Sequence, residues 1–360
     1  MNICIVTGAR PNFVKVAPLI RAIQKVGGAT YQLVYAGCED DATLEPSLFS
    51  DLQMPRPDCY LGVDSQRLNE ITSRVIDEFD RFLDRHPADV VIVVDDLAST
   101  MAAAITAKKR GLKLAHLVAG TRSFDINMPK EVNRLVIDAL SDYLFTAGVR
   151  SNSVATREQQ SEQSQTYMVG NILMDTLRYS LPRFTPPTSL VLPPKGYVVL
   201  TLNRRVLLSD ESALRQTLQT LADATAGVVP IVAPLRSTAL DVVKRTIANL
   251  QPSSADFMVL PSLSYLEFGW LTAHALGVVT DSGNVAEEAT FHGVPCITLN
   301  DYTEHIETVT EGTNVLAGSD IMKLSSFLGQ MVRREWKQST LPERWDGRTA
   351  ERIVKILLNE

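Results

Sequence analysis

Short apolar runs of strand length alternate with segments of helical periodicity along nearly the whole chain, and this alternation predicts parallel sheets covered by helices. In the first half the runs lie at residues 3–7, 31–36, 90–94, 112–117 and 143–146, separated by helical stretches at 12–26, 66–84, 100–110 and 131–140. Residues 182–196, with five prolines and a glycine, break the rhythm and read as a Pro-rich linker. The alternation resumes at 197–202, 228–232, 257–260, 276–280 and 296–299, and residues 349–358 read as a final amphipathic helix. A chain of 360 residues exceeds what one hydrophobic core serves. The predicted division is an N-terminal Rossmann-like domain at 1–181, the linker, a second Rossmann-like domain at 197–345, and a C-terminal helical segment at 346–360 that packs back. Ligands of doubly wound α/β sheets bind beyond the carboxyl ends of the strands, so both domains are expected to face a central cleft.

Composition removes several classes of function. With 45% hydrophobic and 21% charged residues the chain is that of an ordinary globular protein. A net charge of −6 without a basic run speaks against nucleic acid as a partner. The chain enters a strand-like run at once, without a charged leader, and no apolar stretch approaches the roughly 20 residues needed to span a bilayer. No membrane partner and a cytoplasmic location are the expectations. The four cysteines lack CxxC spacing and the five histidines lack HxxxH spacing. No metal is predicted, and the cysteines read as small buried hydrophobes.

Two segments have the chemistry to hold a phosphate. The first strand runs into Thr7-Gly8-Ala9-Arg10-Pro11, with Lys15 one turn into the next helix. A glycine permits the tight turn, Pro11 suits a helix start, and the helix N-terminus with Arg10 and Lys15 attracts anions. The second segment is Thr280-Asp281-Ser282-Gly283-Asn284, again a strand end opening a helix. There Ser282 suits an N-cap, Gly283 lets a ligand approach the backbone, and Glu288 is placed to accept bonds from ribose hydroxyls. Phe268, upstream at the same rim, has the shape to cover a base, although an aromatic at helical spacing more often belongs to the core.

Taken in order, these segments resemble the non-hydrolysing UDP-N-acetylglucosamine 2-epimerase family. The other signposts are Leu68-Asn-Glu-Ile-Thr-Ser-Arg74, Asp95-Asp96, Ala119-Gly-Thr-Arg122, Pro129-Lys-Glu-Val-Asn-Arg134, Val169-Gly-Asn171, Arg204-Arg205, Gly293-Val-Pro295, Thr303-Glu304 and Gly312-Thr313. The resemblance implies the GT-B architecture, a UDP-sugar substrate, no cofactor and a homodimer. It assigns Arg10, Ser282, Gly283 and Glu288 to the uridine diphosphate, Lys15 to the phosphates and Phe268 to the uracil. Asn284 stands where the family has a second glycine, and His305 where it has an arginine that addresses the diphosphate.

The implied reaction is epimerisation at C2 of a UDP-2-acetamido sugar. Direct removal of the C2 hydrogen is implausible because no carbonyl adjoins it. Departure of UDP from C1 builds oxocarbenium character, a carboxylate takes the C2 proton, and re-addition after protonation from the other face gives the epimer. The family pattern places acids at Asp96, Val118 and Glu131, an arginine at Arg134 and a histidine at Asn203. Valine and asparagine cannot perform the proton chemistry of the residues they replace. Further departures are Asn12 for a glutamate and Asp95 for a glycine. Asp95 is a local substitute for the missing acid, although an uninterrupted strand would turn it to the sheet face opposite Asp96. The family's regulatory positions correspond to Cys38, Glu39 and Arg236, with only Arg74 kept, so activation by substrate is not expected.

Structural readings stand beside these. Asp96 is placed to cap the following helix, Glu131 and Arg134 form a common i,i+3 helical pair, and His116 and His274 lie in apolar runs as core histidines. The changes at 118 and 203 also leave room for a hydrolysing epimerase, a glycosyltransferase using the same UDP grip, or a non-catalytic nucleotide-sugar-binding paralogue.

Overall fold

The computed structural model describes residues 1–44, 46–159, 161–188, 190–191, 196–250 and 256–359. Two compact units result, one comprising Met1–Tyr179 with Glu343–Glu360 and the other Ser180–Pro342. Of the segment 182–196, residues 189 and 192–195 lie outside the described residues.

The first unit is built on strands β1 (Asn2–Thr7), β2 (Thr30–Tyr35), β3 (Cys59–Tyr60), β4 (Val90–Val94), β5 (Lys113–Ala119), β6 (Tyr143–Thr146) and β7 (Gln165–Met168). They form one sheet in the order β3-β2-β1-β4-β5-β6-β7, every pairing parallel. The second unit holds β8 (Val198–Thr201), β9 (Ile231–Leu235), β10 (Phe257–Pro261), β11 (Gly277–Thr280), β12 (Cys296–Thr298) and β13 (Asn314–Leu316). Its order is β10-β9-β8-β11-β12-β13, also parallel. Both sheets are therefore doubly wound, and each reverses its winding once, between β1 and β4 and between β8 and β11. Chain connections diverge at such a point and leave a crevice beyond the strand ends.

Apolar content explains which strands were visible in advance. β4, β9 and β11 are buried along their whole length, as strands covered on both faces require. β3, β7 and β13 carry only partial cover and lie at sheet edges, so they present no apolar run. The run expected from residue 228 begins only at Ile231, because Val228 precedes Pro230 and is 50% exposed. Cys4 and Cys296 are buried in the sheets, Cys38 and Cys59 are half-buried, and all four are free thiols. No helix among the described residues is long and apolar enough to cross a membrane.

The chain returns to the first unit through Trp345, fully buried with its indole N–H donating to Ala147 O at 3.2 Å. The final helix, Thr349–Leu358, is then capped from outside itself, since Asp175 accepts from the amides of Thr349 and Ala350 at 3.0 and 2.8 Å. Burial pushes the Asp175 carboxyl up to about 6, against the pull of those two amides. A folded pKa above the ordinary 3.8 means the native state binds more protons between the two values, so this group's linked stability is present below 3.8 and falls away as pH rises through about 6. Asp175→Asn should flatten that slope. Asp175→Ala, which removes the cap, should cost about 1–2 kcal/mol in urea unfolding at neutral pH. An unchanged midpoint would show that the cap contributes nothing.

Candidate functional site

The switch point of the first sheet gathers the ionisable groups. β4 ends at Val94 and Asp95 adopts φ +58°, in the left-handed region, so the strand's alternation stops there. Two consecutive carboxylates consequently reach different helices. Asp95 points to the helix Arg10–Val26, taking Lys15 Nζ at 2.6 Å and Asn12 Nδ2 at 2.8 Å. Asp96 points to the helix Pro129–Leu140, taking Arg134 Nε at 2.8 Å and Nη2 at 2.5 Å, with Lys130 Nζ 3.3 Å away. Asp96 makes no cap on the helix Ala98–Lys109, whose start is closed by Thr100 Oγ1 on the backbone of Leu97.

Helical spacing presents Lys130, Glu131 and Arg134 together, and the adjacent Asn133 Nδ2 donates to the Asp96 carbonyl at 2.8 Å. Glu131 is buried and accepts from Ser123 N and Oγ, both at 2.8 Å, from Phe124 N at 3.1 Å and from Arg134 Nη1 at 3.2 Å. Burial raises the pKa of Asp96, but Lys130 and Arg134 outweigh it and hold the group below its ordinary range. Burial likewise works against Glu131, and the Ser123, Phe124 and Arg134 donors overcome it. Both acids are therefore carboxylates at neutral pH. The Asp96 oxygens meet Arg134 and Lys130, whereas the oxygens of Glu131 are taken up in holding the loop before its helix.

His116 is a core histidine, with Nδ1 2.5 Å from Asp138 Oδ1 and Nε2 2.9 Å from Asp95 O. It thus braces the turn that carries both aspartates, and Asp138 is held in turn by Arg122 Nη2 at 2.7 Å and Gly120 N at 3.0 Å. The sequence reading took His116 for a satisfied core side chain without its supporting part in this turn. Its place one strand away, in β5, was the available signal. His274 is a correction: it is exposed, stacked on Trp270 with centroids 4.1 Å apart, because it ends the helix Tyr265–Ala273 at the surface. Val118, half-buried at φ +75°, sits where β5 loses register against β6. A β-branched residue is a genuine outlier there, and it brings no titratable group.

The second unit repeats the arrangement with different chemistry. Asp281 Oδ2 accepts from the amides of Asn203 and Arg204 at 2.7 and 2.8 Å, and its carbonyl accepts from Asn300 Nδ2 at 3.1 Å. One residue thereby ties together the loops after β8, β11 and β12. The Asn203 side chain itself is exposed. Ser282 occupies the N-cap of the helix Gly283–His292, yet its hydroxyl makes no cap bond. A Cβ built on Gly283 would meet nothing within 4 Å, so the fold itself does not demand glycine at this exposed position. A small cavity of ≈ 40 Å³ adjoins this helix start, lined by Arg204, Gly283, Asn300, Thr303 and His305 among others. His305 Nε2 lies 3.5 Å from Glu287 Oε1, and Glu287 and Glu288 are both buried rather than surface acids. Asn284 is half-buried in the first turn of the same helix, while Phe268 is half-buried against the core around Leu271 and Val285. Uncapped amides and an open glycine, with the Arg204 guanidinium lining the same small cavity, are the features with which helix N-termini attract anions.

Residues brought together in the first unit are thus Lys15 with Asp95, and Asp96 with Glu131 and Arg134; Arg10 opens the helix that carries Lys15, half-buried. Residues brought together in the second are Ser282, Gly283 and Asn284 at the helix start, with Arg204 and His305 at the adjoining cavity and the Asn203 backbone tied to the same Asp281. Glu288 lies buried further along the helix and does not line that cavity.

Comparison with known proteins follows this geometry. The family model described as UDP-N-acetylglucosamine 2-epimerase matches residues 21–358. The UDP-2,3-diacetamido-2,3-dideoxy-D-glucuronate 2-epimerase of Pseudomonas aeruginosa is 32% identical over 320 residues, 89% of each chain. The UDP-N-acetylglucosamine 2-epimerase of Methanocaldococcus jannaschii is 30% identical over 374 residues, 99% of each chain. The crystal structure of a Methanocaldococcus jannaschii UDP-GlcNAc 2-epimerase in complex with UDP-GlcNAc and UDP superposes with a TM-score of 0.85 at 29% identity, covering 100% of both chains. A family match over residues 21–358 and relatives at 30–32% identity over most of the chain, with a fold to match, mean that the chain belongs to the UDP-N-acetylglucosamine 2-epimerase family.

Proposed function

We propose that this enzyme epimerises a UDP-2-acetamido sugar at C2, the UDP-GlcNAc/UDP-ManNAc pair or a close relative, by elimination and re-addition of UDP. The observation that carries this reading is the buried Asp96 carboxylate at the first switch point, kept ionised by Arg134 and Lys130. Such a group takes a proton from carbon only if the carbon has already become acidic. Loss of UDP from C1 supplies that acidity through oxocarbenium character, and the C2 proton passes to Asp96 as the C1–C2 double bond forms. Arg134 holds the Asp96 oxygens in one direction and Glu131 fixes Arg134 from the other side. Proton return to the opposite face and attack of the UDP oxygen on C1 complete the exchange.

In the second unit Ser282, Gly283 and Asn284 receive the diphosphate at the helix start. Arg204 lies nearby as a cationic partner and His305 as a hydrogen-bonding one, Glu288 takes the ribose and Phe268 lies against the uracil. Arg10 and Lys15 are the first unit's cations for phosphate. Asn203 keeps hydrogen-bonding capacity where a histidine would titrate, so it orients rather than transfers. A specific feature favours a second reading: Val118 brings no acid to its strand end. A chain that cannot return the proton would release UDP and the unsaturated 2-acetamidoglucal, whereas one that returns the proton but lets water attack C1 would release free sugar and UDP.

Incubation with UDP-GlcNAc, followed by separation of products, should yield UDP-ManNAc; free sugar with UDP would establish hydrolysis instead, and unchanged substrate should be followed by a panel of other UDP-2-acetamido sugars. Asp96→Asn should lower kcat at least about tenfold with UDP affinity little changed. The linkage has the opposite sign to that at Asp175: a lowered folded pKa adds stability above the ordinary 3.8 and loses it as pH falls through the folded value, so Asp96→Asn should also reduce the steepness of acid unfolding. Gly283→Val should leave the melting temperature unchanged, since the position is open, yet weaken UDP binding by at least about tenfold, the equivalent of 1.4 kcal/mol of lost contact. Unaltered UDP affinity in that variant would remove the helix start from the site.

A further inference from the structure

Position 12 is the third residue of the helix Arg10–Val26, where a capping glutamate or glutamine is ordinarily favoured. Asn12 performs that cap, its Oδ1 accepting from Gly8 N at 2.9 Å and Ala9 N at 3.1 Å. Its Nδ2 meanwhile donates to Asp95 Oδ2 at 2.8 Å. Only an amide can do both, because a glutamate here would set two carboxylates against each other. Asp95 for its part holds a left-handed conformation that glycine adopts without strain and other residues at a cost. Every polar group of Asp95 is engaged: its amide donates to Leu117 O at 3.2 Å, its carbonyl meets His116 Nε2 at 2.9 Å, and its other carboxylate oxygen takes Lys15 Nζ at 2.6 Å. Lys15 is only 6% exposed. A strained backbone, a dedicated amide and a buried ammonium thus converge on one carboxylate.

We infer that Asp95 is a positioning residue for Lys15, and that Asn12 and Asp95 act as a coupled pair in which a carboxylate at either position can steer that ammonium. The inference rests on the proposed reading that Lys15 addresses the diphosphate. The Asp95 carboxylate fixes the ammonium before the reaction, so that it meets charge as it grows on the departing phosphate oxygen without reorganising. The same carboxylate repels a diphosphate at rest. Asp95 therefore assists departure of UDP more than its binding, and a carboxylate at position 12, three residues before Lys15 on one helix face, substitutes for it.

The test is a cycle of Asn12→Glu, Asp95→Gly and the double variant, with kcat for UDP-sugar epimerisation, UDP affinity by calorimetry and melting temperature measured on each. Each single change should lower kcat at least about tenfold, the scale of losing one preorganised donor. The double variant should recover to within about threefold of the parent, a non-additivity confined to directly coupled residues. Asp95→Gly should bind UDP as tightly as the parent or more tightly, which a general loss of folding does not produce. Full turnover by Asp95→Gly, or a double variant no better than its worse single, would overturn the inference while leaving the epimerase reading intact. A parent chain that binds UDP without turning over the sugar defeats the epimerase reading, and the direction of the Asp95→Gly effect on UDP affinity then decides the pairing: weaker binding overturns it. A parent chain that does not bind UDP overturns both. If the glycine variant fails to fold, Asp95→Asn, which tolerates the left-handed backbone, gives the same readouts for loss of charge alone.

Discussion

An anionic side chain buried at a strand end is stable only if cations meet it there, and the Asp96–Arg134 pair meets that condition in the first unit. Removing one partner of such a pair leaves an uncompensated buried charge at a cost of about 3–5 kcal/mol, so the pair is maintained as a unit. Its geometry sets much around it. Asn133 fixes the Asp96 carbonyl, Glu131 fixes Arg134, and the same Glu131 gathers the loop through Ser123 and Phe124. A carboxylate of fixed charge and direction results, beside a turn already braced by His116 and Asp138.

The two units solve one geometric problem twice. A doubly wound sheet must reverse its winding somewhere, and the reversal leaves strand ends and helix starts exposed to a ligand. In the first unit the reversal carries paired charges; in the second it carries backbone amides with an idle serine hydroxyl and a glycine that nothing crowds. The proposed proton transfer uses the former, and the proposed diphosphate contacts draw chiefly on the latter. Asp281 shows how little is needed to build the second, since one carboxylate and one carbonyl tie three strand-end loops together.

Much of this was legible in the amino-acid sequence because buried parallel strands announce themselves as uninterrupted apolar runs, as in Val90–Val94. The edge strands were not, because a strand with one protected side needs no such run, and Gln165–Met168 reads as polar loop. The strand-end chemistry at Ser282 and Gly283 could be argued from residue types alone. The partners of Asp95 could not: alternation along an ideal strand assigns it a face, and only the left-handed turn after Val94 directs it to Lys15. His274 misled for a related reason, since an apolar run continues past the point where its helix reaches the surface.

In the proposed mechanism the sugar's C2 proton leaves to Asp96 and a solvent-derived proton takes its place. Turnover of UDP-GlcNAc, or of whichever UDP-2-acetamido sugar the enzyme accepts, in deuterated water with NMR of the product measures that directly. Deuterium at C2 of the epimer, absent when Asp96 is replaced by asparagine, is the predicted result. An epimer that keeps its original hydrogen at C2, or label that enters equally well without the Asp96 carboxylate, would contradict it.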